Sequence, residues 1–249
     1  MASYKLRILM GKGIDMNDTG RRFLWVSAYA IAMAFLEAVV VVYLRGLLQI
    51  TNDHVALGSY FTLEIWREAA TLAMLASIGW LAGRRRIERW AYGLFAFGVW
   101  DVCYYVWLKV LIDWPTSLLN WDVLFLIPLR WWGPVLSPML VAVLICTTAA
   151  LSIIRAAQGE RLGFTPPRIG TAALGGLLAL YVFMADSLKA LLAGQSDWDT
   201  LRPEPFQWPL FLVALALMAT PSLLATWPRS GGRARASAPQ TSIAHKEAS

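Results

Sequence analysis

Long apolar blocks alternate with short polar stretches along most of the chain. Each block has roughly the 20 residues that a helix needs to cross about 30 Å of hydrocarbon. Inside a bilayer, only helices and closed barrels satisfy all of their own backbone hydrogen bonds. The pattern therefore predicts an all-α fold, a polytopic membrane bundle of six transmembrane helices. The predicted spans are residues 23–48, 62–82, 88–112, 134–154, 170–193 and 208–227.

Both ends of the chain are polar. Residues 1–22 are basic and are predicted to be a cytoplasmic N-terminal segment. The apolar block that follows is longer than a signal-peptide core, contains Glu37 and precedes no small-residue cleavage site. We therefore expect it to be retained as the first span. The Ser-, Ala- and Arg-rich residues 228–249 predict a disordered cytoplasmic tail.

The segment 113–132 resembles neither the apolar spans nor the polar segments between and beyond them. It is too polar for a span, too apolar for a solvated loop, and rich in tryptophan. Tryptophan is enriched at membrane–water interfaces because its indole ring is partly apolar and partly polar. We expect an interfacial or re-entrant element here. Pro134 and Pro138 then fall in the first turns of the fourth span, where a missing N–H is tolerated.

Basic residues are distributed unevenly among the loops. With the N-terminus in the cytoplasm, most of the 22 lysines and arginines fall in segments that would also be cytoplasmic, such as 84–86 and 155–168. Cytoplasmic loops of membrane proteins carry this excess of Lys and Arg. The bias alternates at every loop, so both termini are predicted to be cytoplasmic.

The composition supports a membrane protein and narrows its chemistry. The chain is 58% hydrophobic and 15% charged, whereas soluble domains carry about 25% charged residues. The net charge of +6 lies mainly in the predicted cytoplasmic loops, which favours contact with anionic lipids and not with nucleic acid. Cys103 and Cys146 lie in apolar blocks without metal-ligand spacing, so we expect free thiols. Since His54 and His245 lie outside the spans, we expect no His-ligated haem and no His-built zinc site in the membrane, and we predict no cofactor.

Ionisable residues interrupt several predicted spans. Such residues are costly in lipid and usually face protein or a water-filled cavity. At 1.5 Å per residue, Asp101 lies about 18 Å along its helix from Arg89, in the outer half of a hydrocarbon layer about 30 Å thick. The charges within spans are Glu37, Arg45, Glu64, Arg67, Glu68, Asp101, Lys109, Asp186 and Lys189.

Helical spacing places these charges on shared faces. Glu64 and Glu68 are four residues apart, as are Asp101 and Tyr105. Small residues at helical spacing before Asp186 should let a neighbouring helix approach and direct Asp186 into the bundle. We expect a polar cluster among spans 1, 2, 3 and 5 that opens outward and is covered by the segment 113–132. The candidate ligand- or ion-binding residues are Glu37, Glu64, Arg67, Glu68, Asp101, Tyr105 and Lys109.

Three functions fit such a cluster. The leading hypothesis is a transporter-like or small-ligand-binding protein whose acids bind a cation or proton and whose bases orient an anionic group. The second is an enzyme acting on a lipid or lipid-linked substrate at the outer leaflet, with Asp101 or Glu68 as general acid/base. The third is a structural subunit of a larger membrane complex, since five acids facing four bases suit interhelical ion pairing. The predicted partners are membrane lipids, an unidentified small molecule or ion, and other membrane proteins or further copies of this chain.

Two narrower interpretations of the acids remain open. Glu37, Glu64, Glu68 and Asp101 supply the oxygen ligands that hard cations prefer. Alternatively, Asp101 and Asp186 form an intramembrane pair that shares a proton. Neither interpretation decides whether the protein is an enzyme.

Two runs in the middle of the chain resemble a known group of proteins. They are WDVCYYVWLK from Trp100 to Lys109 and WPTSLLNWDVLFLIP from Trp114 to Pro128. With LEA at 36–38 and REAAT at 67–71, they resemble a family of small, multi-pass bacterial inner-membrane proteins to which no activity is assigned. The resemblance covers about residues 25–145. It implies a location in the bacterial inner membrane and brings no cofactor or catalytic residue.

Overall fold

The computed structural model describes residues 16–48, 58–159, 165–194 and 205–226. These residues are mostly helical, at 81%, which confirms the predicted helical character. Their α-helices are α1 (Met16–Leu48), α2 (Phe61–Ala82), α3 (Arg86–Ile112), α4 (Leu136–Ala157), α5 (Pro166–Leu192) and α6 (Trp208–Thr226). The predictions for residues 1–15, for both histidines and for the tail 228–249 fall outside the described residues.

Four of these helices, α1, α3, α4 and α5, are long and apolar enough to cross a membrane. The three charged residues of α2 lower its hydropathy, and the apolar part of α6, Trp208–Thr220, is shorter. Large apolar side chains cover the outer surface, such as Trp25, which is 66% exposed, and Leu81, which is 82% exposed. An apolar surface of this extent suits lipid contact, so the helices are compatible with a membrane protein. The count of six spans and their orientation stay predictions.

The α3 helix lies at the centre of the fold. It packs against α1, α2 and α4, while α5 and α6 pair with each other and α5 also contacts the segment between α3 and α4. Glycines allow the closest approaches: a Cβ at Gly79 would lie 2.5 Å from the backbone nitrogen of Gly93, and one at Gly98 would lie 2.6 Å from the carbonyl oxygen of Ala142. Small residues at such positions bring helix backbones together where lipid supplies no hydrophobic driving force.

The segment between α3 and α4 contains a β-hairpin, which the all-α prediction missed. Strand β1 (Trp121–Phe125) pairs antiparallel with β2 (Trp131–Pro134), with Asp122 opposite Gly133. Valine and the aromatic residues favour strands, whereas glycine and proline disfavour a helix here. A short apolar run fits a buried strand as well as a helix, so its pattern alone does not decide.

The start of the fourth predicted span also needs correction. Pro134 is the last residue of β2, and α4 begins at Leu136. Only Pro138 therefore lies in the first helical turn, where its missing N–H removes no helical hydrogen bond. The Ser137 hydroxyl donates a 2.6 Å hydrogen bond to the carbonyl oxygen of Pro134, which ties the strand to the helix.

Basic residues gather at one end of the bundle, here called the basic end. The Arg22 guanidinium donates a 2.6 Å hydrogen bond to the carbonyl oxygen of Ala82 and so joins the start of α1 to the end of α2. Arg84 forms a 3.0 Å ion pair with Asp18. Arg22 and Arg84 also line a small cavity with Ile153, near the end of α4. The start of α1 and the ends of α2 and α4 therefore meet at the basic end.

Candidate functional site

A polar cleft of about 100 Å³ lies between α1, α2, α3 and the β-hairpin. Residues of the last third of α1 and the first turns of α2 line it, so the cleft lies toward the end of the bundle opposite the basic end. Its charged lining residues are Glu37, Arg45, Glu64, Arg67, Glu68, Asp101 and Asp122. Its aromatic lining residues are Trp100, Tyr104, Tyr105, Trp121, Phe125 and Trp132.

Most of the residues singled out in the sequence meet in this cleft. They are Glu37, Glu64, Arg67, Glu68, Asp101 and Tyr105. Lys109 does not line it: its ammonium group pairs with the Asp113 carboxylate at 2.7 Å, and its side chain is 50% exposed. Lys109 lies about 80° around α3 from Asp101, because eight residues at 3.6 per turn overshoot two full turns. The geometry thus gathers the predicted residues, while their role in binding stays a prediction.

The fifth predicted span contributes nothing to the cleft lining. Asp186 on α5 lies 3.6 Å from Lys189 of the same helix. The small-residue face before it packs against α6, since a Cβ at Gly175 would lie 2.7 Å from the carbonyl oxygen of Ala214. The expected cluster of spans 1, 2, 3 and 5 is therefore corrected to α1, α2, α3 and the hairpin. The second aspartate of the cleft, beside Asp101, is Asp122 and not Asp186.

Arg67 connects two of the helices that line the cleft. Its guanidinium pairs with Glu37 on α1 and, through Nε, with the Glu64 carboxylate at 2.8 Å. The Thr71 hydroxyl donates a 3.1 Å hydrogen bond to the second oxygen of Glu37. One guanidinium thus compensates two carboxylates, so these three charges form an interhelical ion-pair network.

Glu68 holds the hairpin against α2. Its two carboxylate oxygens accept the backbone N–H of Leu126 at 3.1 and 2.9 Å. Both Glu68 and Leu126 are almost completely buried, at 5% and 4% exposed. A buried backbone donor needs a partner, and Glu68 supplies it after the strand pairing ends.

Asp122 is a cleft residue that the sequence reasoning missed. The Tyr105 hydroxyl donates to it at 3.2 Å, and Arg45 lies 3.6 Å from its other oxygen. Arg45 in turn covers the ring of Trp114 at 3.8 Å. Burial raises the pKa of Asp122 to about 6, while the guanidinium of Arg45 and the Tyr105 hydrogen bond act to lower it. Asp122 sits within an apolar run, so no helical periodicity pointed to it.

Asp101 differs from the other cleft carboxylates. Among the described residues it has no hydrogen-bond or ion-pair partner, although the charge of Asp122 lies close enough to repel it. The cleft as a whole contains five carboxylates and two guanidinium groups. Its local charge is therefore negative when all of these groups are ionised.

Two buried indoles also lack partners at the cleft. The ring N–H groups of Trp100 and Trp132 find no acceptor among the described residues. Both side chains line the cleft and are only 5% and 4% exposed. Buried donors are nearly always satisfied, so each unpaired N–H calls for an explanation.

The described residues contain no group of three or more His, Cys, Asp or Glu arranged to hold a metal ion. The four acids proposed for a hard cation thus share a cleft without forming a coordination shell. Cys103 and Cys146, predicted as free thiols, are free and partly buried.

Comparison with protein-family models, with characterised proteins and with solved structures finds no match for this chain. Its function must therefore be inferred from the cleft and from the surfaces around it.

Proposed function

We propose that this chain is a multi-pass protein of a bacterial inner membrane, with six spans and both termini in the cytoplasm. The apolar outer surface and the four long apolar helices support an intramembrane location. The basic end supports the orientation, because Lys and Arg accumulate on the cytoplasmic side. The polar cleft, at the other end of the bundle, then lies in the outer half of the membrane.

The function we propose is transporter-like binding of a small ligand or ion in the polar cleft. The observation that carries this proposal is the Asp101 carboxylate, which lines the cleft with no ion-pair partner among the described residues. A charge in that position is costly in an apolar bundle unless something compensates it. The cleft has a volume of about 100 Å³ and is open to its surroundings, so it suits a small ligand or the head group of a larger one.

A structural role is the second candidate, and the Arg67 network favours it. Arg67 of α2 joins α1 through Glu37 and also pairs with Glu64 on its own helix, and Arg45 joins α1 to the hairpin through Asp122. Ion pairs of this kind can fix helix positions without taking part in binding. This candidate predicts that no ligand stabilises the protein through the cleft.

A cleft-filling substitution separates the two candidates. Leu44 lines the cleft, whereas Leu47, one turn further along α1, is 71% exposed. We would compare wild type, Leu44→Trp and the control Leu47→Trp by thermal unfolding in detergent, with a panel of inorganic cations, amines, carboxylates, sugars and lipids. A ligand of the folded state raises the unfolding temperature by mass action.

The binding proposal expects at least one compound to stabilise wild type and Leu47→Trp but not Leu44→Trp. If no compound stabilises wild type, or if all three proteins respond alike, the cleft is not a binding site and the structural role is favoured.

A further inference from the structure

The lining of the polar cleft defines what kind of ligand it can hold. Five carboxylates and two guanidinium groups leave an excess of negative charge. Arg67 and Arg45 already pair with Glu37, Glu64 and Asp122. This excess of negative charge would repel an anionic ligand. Both guanidinium groups among the described lining residues are already in ion pairs, so neither is available to bind it. The charge balance therefore favours a cation.

The aromatic residues indicate an organic cation. Trp100, Tyr104 and Tyr105 of α3 line the same cleft as Asp101, so the carboxylate shares it with aromatic side chains. The rings of Trp100 and Tyr104 stack with their centroids 6.4 Å apart. Aromatic faces attract ammonium groups through the ring quadrupole, most strongly where water is excluded. A metal ion would instead need several oxygen ligands at short range, which the described residues do not assemble.

The unpaired indoles add a second requirement. Trp100 and Trp132 each have a buried ring N–H that lacks an acceptor among the described residues. A bare ammonium ion has no lone pair with which to accept these donors. A ligand that carries an oxygen close to its ammonium group could satisfy Asp101 and an indole N–H at the same time.

We infer that the polar cleft binds the ammonium group of an amino-alcohol, such as ethanolamine or choline, with Asp101 as its counter-ion. The ammonium lies among the aromatic rings, and the neighbouring oxygen accepts an indole N–H. The ligand is either a free amino-alcohol or the head group of a lipid that carries one. This inference rests on the proposed function, because it names the ligand class of the same cleft.

The test compares choline with its neutral isostere, in which carbon replaces the nitrogen. Both have the same shape and hydroxyl, so only the charge differs. We would measure the unfolding temperature of the full chain in detergent as each compound is titrated, adding ethanolamine and acetate. The variants are Asp101→Asn, which keeps the shape and removes the charge, and the control Asp113→Asn, which alters a carboxylate 85% exposed and outside the cleft.

We expect choline or ethanolamine to stabilise wild type and Asp113→Asn, with an apparent affinity at least about tenfold lower in Asp101→Asn. Nanodiscs made from lipids with ethanolamine or glycerol head groups distinguish a lipid head group from a free amino-alcohol as the ligand. Stabilisation by the ethanolamine lipid, lost in Asp101→Asn, indicates a head group; stabilisation by the soluble amines alone indicates a free ligand.

Equal stabilisation by the neutral isostere, or an unchanged response of Asp101→Asn, would overturn the inference. Other outcomes distinguish failure of this ligand class from failure of the proposed binding function. If acetate or another non-amine stabilises wild type but not Leu44→Trp, the cleft binds a ligand of a different class. If nothing stabilises wild type, both the ligand class and the binding function are rejected.

Discussion

Glu68 and Leu126 lie 58 residues apart in the chain, yet the Glu68 carboxylate accepts the Leu126 backbone N–H at 2.9 Å. This contact joins the first turns of α2 to the end of β1. On the other side of the hairpin, the Ser187 hydroxyl of α5 donates to the carbonyl oxygen of Arg130 at 2.7 Å. The hairpin that forms one wall of the cleft is thus held from two helices by side-chain contacts to its backbone.

Removing the Glu68 carboxylate should loosen the hairpin. In Glu68→Ala the buried Leu126 N–H loses its acceptor, and an unsatisfied buried donor costs about 1–3 kcal/mol. Glu68→Gln keeps one carbonyl oxygen and should lose less. The free energy of unfolding, measured by titration with a denaturing detergent, reports the global effect. Tryptic cleavage after Arg130, which is only 4% exposed, reports opening of the hairpin itself.

The control for this prediction is Asp113→Asn, which changes a carboxylate that is 85% exposed. It should leave both the unfolding free energy and the cleavage rate near those of wild type. Equal stability and equal protection of Arg130 in Glu68→Ala and wild type would show that this hydrogen bond does not hold the hairpin.

The helices could be predicted because their signals are local. Hydropathy alone indicates α3 as residues 88–112, and the structure has Arg86–Ile112. The error is larger at α1, which begins at Met16 and not at residue 23. There the helix continues through polar residues, since Asp18 pairs with Arg21 at 2.9 Å and with Arg22 at 2.9 Å on the same helix. Such i,i+3 and i,i+4 pairs support a helix that hydropathy does not detect.

The cleft could be predicted only in part, for a related reason. Helical spacing correctly put Glu64 and Glu68 on one face, because that relationship lies within one helix. Asp122 was missed because its place in the cleft depends on pairing between two strands. Lys109 was wrongly included because spacing alone does not show that its ammonium group forms an ion pair with Asp113, one turn away. Contacts between elements decide these cases, and spacing within one element does not encode them.

The orientation of the bundle can be tested by thiol labelling. Arg85 lies in the exposed turn between α2 and α3, and Ser117 lies exposed between α3 and the hairpin. We would introduce Arg85→Cys or Ser117→Cys into a chain whose Cys103 and Cys146 are replaced by alanine. In intact bacterial cells, a membrane-impermeant maleimide should label the cysteine at 117 and not the one at 85, because the basic end faces the cytoplasm in the orientation that we propose.

Permeabilised cells supply the control, because both sites should then be labelled. Labelling at position 85 but not at position 117 in intact cells would reverse the orientation. Labelling of both sites in intact cells would contradict a membrane between them.

The contact between α2 and α3 should tolerate no side chain at Gly79. A Cβ there would lie 2.5 Å from the Gly93 nitrogen and 2.7 Å from the Arg89 carbonyl oxygen, and both are backbone atoms that cannot rotate away. Gly79→Ala must therefore push the helices apart, and overpacking of this kind costs about 1–3 kcal/mol. The matched control is Gly46→Ala in α1, where a Cβ meets nothing within 4 Å. Because alanine favours helix by about 1 kcal/mol over glycine, this control should be neutral or stabilising. The same detergent titration measures both variants, and equal effects at the two positions would show that α2 and α3 are not in close backbone contact.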